Sequence, residues 1–334
     1  MPYHPKRRLK LSGNARKRNR RTAEKHRKLL RLSLLIVFCL MVGYGMGLLI
    51  PYAADLIASR QVSREMQRIQ SQALPDQDSS KQAFAEAVSP TFAPLSATDT
   101  PQPAPAALPG GSDHAGTLQP VKYPDNPTLK ISDRFKNLRK KGEYIVGWIR
   151  FDELDEPVAQ KDNSYFLNRD ATGKRNSNGA IFLDSAISLQ TRPYTIILYG
   201  HNMKSGNMFG RLKRYRDSTF FYEHRIITFD TLYEDGQYAV FAVMEMNTNQ
   251  RIARWYDLWS LTTDSRAERE EAIRILERQS EISSFLDVQA DDQILLLVTC
   301  LDGDKERLVV AARRLREGEQ ADQLHMTIQS DGSD

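Results

Sequence analysis

The sequence predicts a mostly β domain, a barrel or a sandwich, preceded by one transmembrane helix. Three observations predict it. Residues Leu32 to Ala54 are 23 consecutive residues without a charge, against the roughly 20 that a helix needs to cross a bilayer. From Leu74 to about Pro120, Pro, Ala, Ser, Gln, Asp and Thr dominate, a composition that buries too little apolar surface to fold. About 200 residues follow in which short β-like runs are punctuated by Gly, Asn and Asp, with few helical patterns between them.

The charge is unevenly spread. Residues 1–31 carry 13 Lys or Arg and one acid, Glu24, whereas the remaining residues hold 34 basic and 41 acidic side chains. The basic character therefore belongs to the tail. Runs such as Arg16-Lys17-Arg18 invite a nucleic-acid reading. A basic block directly before a membrane span is explained more simply by retention in the cytoplasm and attraction to anionic headgroups. The expected organisation is a basic cytoplasmic tail over 1–31, a transmembrane helix over 32–54 and an extracytoplasmic linker over 55–121. A folded domain over 122–327 and a disordered tail over 328–334 complete it. Ala53-Ala54 and Ala58-Ser59 leave room for signal-peptide cleavage, but the apolar stretch exceeds the usual signal core. Gly43 and Gly47 have the spacing at which membrane helices pack closely, a weak signal when it occurs once.

Polar residues 59–74 extend the membrane helix by a few turns. The domain opens with a helix over Ser132 to Lys141, with Ser132 as its N-cap and Gly142 as its stop. The β-like runs are Ile145 to Phe151, Pro157 to Gln160, Ala180 to Leu183, Thr195 to Tyr199, Arg225 to Asp230, Gln237 to Met246, Gln293 to Cys300 and Arg307 to Arg313. Helical patterns interrupt them at Met208 to Tyr215 and at Asp264 to Gln279. In the second, Ala272, Ile275 and Leu276 share a face.

Cys300 is the most informative residue. The only other cysteine, Cys39, lies inside the apolar stretch, so outside the cell Cys300 has no disulfide partner. It ends an apolar run. Arg307 opens the next, and His201 follows the run Ile196-Ile197-Leu198-Tyr199. A thiol is a poor nucleophile until a nearby cation or imidazolium favours the thiolate. Histidine can protonate a leaving amine and later deprotonate an incoming one. Arginine keeps its proton and can stabilise an oxyanion. Together they would cleave an amide through a thioacyl intermediate. Taken singly each has an ordinary reading: a buried small hydrophobe, a turn histidine, a surface arginine. His224 beside Phe220-Phe221-Tyr222 reads as structural, and His325 as solvated. No Cys/His spacing fits zinc, Asp302-Gly303-Asp304 is too short for a calcium loop, and no glycine-rich phosphate loop is present. No cofactor is expected.

The local wording resembles the sortase family, specifically class B, over residues 143–316. The resemblance rests on Val146-Gly147-Trp148-Ile149, Glu156-Pro157-Val158-Ala159-Gln160, Lys161 to Leu167, Asn178 to Asp184, Tyr199-Gly200-His201-Asn202-Met203, Phe220 to His224, and Thr299-Cys300 with Arg307-Leu308-Val309-Val310. It implies a closed eight-stranded β-barrel with flanking helices, Asp264–Gln279 being the class B insertion. It implies Cys300 as nucleophile, His201 as general acid/base and Arg307 as oxyanion or substrate holder. Asp302 would orient the histidine, and Thr299 would support the site. Val298 stands where many members have Ser, and Arg225 where Pro is common. The turn from Cys300 to Arg307 is shorter than in some members, which leaves Arg313 and Arg314 as fallbacks.

The implied function is a membrane-anchored transpeptidase on the outer cell face. It would cut a sorting signal after Thr and join the acyl end to an amine. Its partners would be sorting-signal-bearing surface proteins or pilins, a peptidoglycan precursor or cross-bridge amine, and the bilayer through Leu32–Ala54, with no nucleic acid. A thiol hydrolase on the same fold and a non-catalytic, wall-facing binding domain are the alternatives. The second predicts a buried, inert Cys300.

Overall fold

The computed structural model describes residues 13–72, 116–300, 305–321 and 324. Most of the expected linker, the C-terminal tail and Asp302 lie outside them. The chain divides into two units, Met1–Ile57 and Ala58–Asp334, and the helix α1 (Gly13–Gln72) contributes to both. In the first unit Leu34, Leu35, Phe38, Leu40 and Leu49 stand exposed on α1. The segment is long and apolar enough to cross a membrane.

In the second unit every expected β-like run overlaps a strand, and the second strand starts three residues earlier than expected. These are β1 (Ile145–Phe151), β2 (Leu154–Ala159), β3 (Ile181–Leu183), β4 (Thr195–Tyr199), β5 (Ile226–Thr231), β6 (Gln237–Asn247), β7 (Ile294–Cys300) and β8 (Glu306–Arg314). They close into a barrel in the order β1-β2-β3-β4-β7-β8-β6-β5, with β5 pairing back onto β1. Closure leaves no edge strand to aggregate. Two neighbours run parallel, β2 with β3 and β4 with β7. Parallel neighbours need long connections, and the β2–β3 connection, residues 160–180, reaches the site described below. Ile294 to Val298 of β7 and Leu308 to Ala312 of β8 are buried without alternation. Their near-continuous apolar wording reflects burial on both faces of the sheet.

The helices that follow α1 are α2 (Asp133–Arg139), α3 (Ser218–Glu223) and α4 (Arg266–Gln279). Ser132 holds the N-cap position of α2 without a side-chain capping bond. The pattern expected at Met208 to Tyr215 is a 3-10 helix, Phe209–Arg216. Its buried residues Phe209, Leu212 and Tyr215 recur every three positions, the spacing that lines one face when three residues make a turn. α4 starts on a capping arrangement: the Ser265 hydroxyl accepts from Glu268 N–H, and Thr263 donates to the Glu268 carboxylate at 2.9 Å.

α4 is tied to the barrel by Arg269, which is fully buried. Its guanidinium donates to the carbonyls of Ala290 at 2.5 Å, Tyr194 at 2.7 Å and Asp292 at 2.8 Å, to the Thr195 hydroxyl at 2.6 Å, and to the Leu261 carbonyl. One cation thus joins the starts of β4 and β7 to α4. Burial pushes its pKa down to about 10, opposed by nearby Tyr194 and Tyr256.

The domain extends beyond the expected limits. Thr117 and Val121 form bridges with Ser265 and Arg192, so residues before Lys122 already belong to it. Residues 58–72 of α1, expected to lie in the linker, pack on the barrel instead. Met66 is buried with Phe135, Leu138, Ile145, Trp148 and Leu232, and Val62 and Ile69 join the cluster. Ser63 donates to Glu156 at 2.6 Å, and Gln67 to the Asp155 carbonyl at 2.7 Å. Val62, Met66 and Ile69 share one helical face.

Candidate active site

Three strand ends meet at one rim of the barrel. β7 lies between β4 and β8. The parallel register pairs Tyr199 with Val298, so the chain leaves β4 at Gly200-His201 level with Thr299-Cys300. Gly200 N–H donates to the Val298 carbonyl at 3.2 Å, and the Thr299 hydroxyl donates to the Gly200 carbonyl at 2.7 Å. On the other side Cys300 pairs directly with Arg307. The backbone at Cys300 is therefore flanked by His201 on one neighbour and Arg307 on the other. The Thr299 hydroxyl thus tethers the residue before the histidine.

The same register excludes the alternatives. Arg313 pairs with Ile294 at the opposite end of β7, about 20 Å away at the rise of a strand. Its guanidinium bonds Glu319 at 2.6 Å, and that of Arg314 bonds the Asp235 carbonyl at 2.6 Å. His224 precedes Ile226, which pairs with Ala239, itself opposite Arg313. Its ring lies against Phe220 with centroids 4.2 Å apart. His325 lies outside the described residues.

His201 is half-buried, and its Nε2 lies 2.7 Å from the Leu167 carbonyl oxygen. A carbonyl oxygen carries no proton, so Nε2 must be the donor. Nδ1 is then the nitrogen left to take up and release a proton. The ring packs against the turn at Gly179. There φ is +65°, and a Cβ would stand 2.6 Å from the Phe166 carbonyl and 2.8 Å from His201 Cδ2. Only glycine fits that conformation and that approach.

Arg307 is half-buried, and its Nη1 donates to the Glu306 carbonyl at 3.2 Å. It has no carboxylate partner among the described residues, so its charge remains available. Its field reaches Tyr199. Burial and the Asp184 carboxylate, which accepts from the Tyr199 hydroxyl at 3.0 Å, raise that phenol above its ordinary pKa, and Arg307 opposes them.

Sequence reasoning missed the Leu167 carbonyl and Gly179. A backbone carbonyl leaves no trace in residue type. Asn178-Gly179 is a turn signal, but nothing local says that the turn abuts a histidine more than twenty residues on.

Residues 150–315 match the sortase domain. Sortase B of Staphylococcus aureus is 31% identical over 192 residues, covering 56% of this chain and 76% of that protein. The crystal structure of a Bacillus anthracis protein described as similar to sortase B aligns with a TM-score of 0.50 at 32% identity, covering 60% of this chain and 88% of that one. A sortase B complexed with triglycine aligns with a TM-score of 0.50 at 29% identity, covering 57% of this chain and 89% of that one.

Proposed function

The chain belongs to the sortase family and is class B-like, and from that premise we propose that it is a membrane-anchored transpeptidase with Cys300 as nucleophile. Its substrates are surface proteins or pilins carrying a sorting signal, which it cleaves after Thr. The acyl end passes to an amine of the cell wall or of another subunit. The N-terminal tail stays in the cytoplasm and the barrel lies outside, as the 13 basic residues before the span favour.

The convergence of His201, Cys300 and Arg307 on three adjacent strand ends carries this reading. The Cys300 thiol gives its proton to His201 Nδ1, the resulting thiolate attacks the Thr carbonyl carbon, and the carbonyl π electrons move to oxygen. The Arg307 guanidinium stabilises that oxyanion. Collapse breaks the C–N bond while His201 Nδ1–H protonates the departing amine. The thioester then meets an acceptor amine, which gives a proton to Nδ1 as its nitrogen attacks. The second tetrahedral adduct expels the Cys300 thiolate and forms the new amide. The triglycine bound to the sortase B above carries an amine of the kind this second step consumes. Asp302 is placed by resemblance alone as a partner of the histidine.

The test is intact-protein mass spectrometry of the full chain in detergent, incubated with a panel of sorting-signal peptides. The expected result is a mass gain equal to the N-terminal peptide fragment, absent in Cys300→Ala and in His201→Ala. An added amine should discharge it, and Arg307→Ala should slow its formation by about 100-fold. Discharge by water with no effect of amine would make the protein a hydrolase. No adduct with any peptide, together with a thiol that resists alkylation, would make it a binding domain.

A further inference from the structure

The catalytic reading leaves unexplained why the turns of α1 that follow the apolar stretch dock on the barrel through buried polar groups. Ser59 is 5% exposed, and its two partners, Asn176 and Asn178, are 2% and 1% exposed. The Ser59 hydroxyl donates to Asn176 Oδ1 at 3.1 Å and accepts from Asn178 Nδ2 at 3.0 Å. Asn176 Oδ1 also accepts from Asn178 N–H at 2.9 Å. These asparagines open the turn closed by Gly179 N–H on the Asn176 carbonyl at 3.1 Å. The turn is fastened to the 3-10 segment Tyr165–Asn168 by Ala180 N–H on the Phe166 carbonyl at 3.0 Å and by Asn176 N–H on the Asn168 carbonyl at 2.9 Å. That segment presents the Leu167 carbonyl to His201 Nε2, and Gly179 stands against Cδ2, the ring carbon next to that nitrogen.

The path from α1 to the imidazole is therefore continuous, and each link is a directional bond or a backbone contact. We infer that Ser59 is a positioning residue: the post-membrane turns of α1, through Ser59, hold the 176–179 turn and thereby set the orientation and tautomer of His201. The inference rests on His201 being the acid/base of the transpeptidase. A hydroxyl at this place serves as donor and acceptor at once. An alanine would leave the buried Asn176 and Asn178 amides with a missing partner each, and a loosened turn would release the ring. The expectation is local, because Met66 and its apolar partners hold the helix independently. A second helix-to-barrel bond, Ser63 to Glu156 at 2.6 Å, ends on β2 and does not touch the 176–179 turn. It supplies the internal control.

The experiment uses the full chain in lipid nanodiscs with isotope-labelled histidine, His201 being assigned by loss of its signal in His201→Gln. Four proteins are compared: wild type, Ser59→Ala, Ser59→Thr and Ser63→Ala. The imidazole titration of His201 is followed by NMR, and the kcat and KM of acyl transfer to a sorting-signal peptide are measured. In Ser59→Ala the His201 titration midpoint should move, and kcat should fall about tenfold with KM little changed. Ser59→Thr, which keeps the hydroxyl, should restore both, and Ser63→Ala should alter neither. A His201 titration unchanged in Ser59→Ala overturns the inference, whatever happens to rate or melting temperature. An equal response in Ser63→Ala also overturns it, since helix docking in general would then be the cause. If wild type transfers no peptide at all, the transpeptidase reading fails, and the NMR comparison still decides whether Ser59 positions His201.

Discussion

Replacing Glu156 by Gln should flatten the pH dependence of stability in the barrel unit. Glu156 lies on β2, where the Ser63 hydroxyl of α1 donates to it. Burial, reinforced by the neighbouring Asp155 charge, pushes its carboxyl from 4.5 up to about 7, and the Ser63 bond only partly opposes this. The folded state thus holds this proton more tightly than the unfolded chain. The associated stability is fully present below pH 4.5 and is lost as pH rises through about 7. At about 1.4 kcal/mol per pKa unit, the whole loss is at most about 3.5 kcal/mol. A glutamine has no proton to lose, and its amide oxygen still accepts from Ser63. Thermal unfolding of both full-length proteins in detergent, scanned from pH 5 to pH 8, reads the difference. The variant should gain on wild type with rising pH, reaching several degrees at pH 8, at about 2–4 °C per kcal/mol for a domain of this size. A difference between the two proteins that stays constant across the range would refute the raised pKa of this half-buried carboxyl.

Two further outcomes follow from the geometry. Arg269→Leu strips the carbonyls of Ala290, Tyr194, Asp292 and Leu261 of their shared donor; denaturant unfolding should show a loss of about 3–5 kcal/mol, and a loss below about 1 would mean that water replaces the guanidinium. Gly179→Ala combines a positive φ with a Cβ 2.6 Å from the Phe166 carbonyl; thioacyl formation should fall at least tenfold while the melting temperature drops by only a few degrees, and full activity would show that the turn does not govern His201.

Much of the barrel was legible because its strands differ so sharply from what separates them. β1 and β4 stand over the residues their patterns marked, and the Cys300 and Arg307 runs became the adjacent strands β7 and β8. The 3-10 helix at Phe209–Arg216 was legible only as helical, since a spacing of three fits both helix types over two turns. The wording of residues 59–74 predicts only a few turns added to the membrane helix. Their apolar face of Val62, Met66 and Ile69 was present in the sequence, but the polar part of the docking surface includes Ser59 and Ser63, and a serine carries no signal until its partners are in place.

The sequence by itself determined the uncharged span, the basic tail, the eight strands and the three residue types that chemistry at a thiol requires. These are local properties, set by periodicity, composition and side-chain pKa. Only the tertiary structure decided that Arg307, rather than Arg313 or Arg314, stands opposite Cys300, that Nε2 of His201 faces the Leu167 carbonyl, and that a serine beyond the apolar stretch reaches the turn beside the imidazole. Each of these depends on strand register or on a backbone carbonyl. Register is a relation between distant segments, and every residue carries a carbonyl, so neither can be read from residue type.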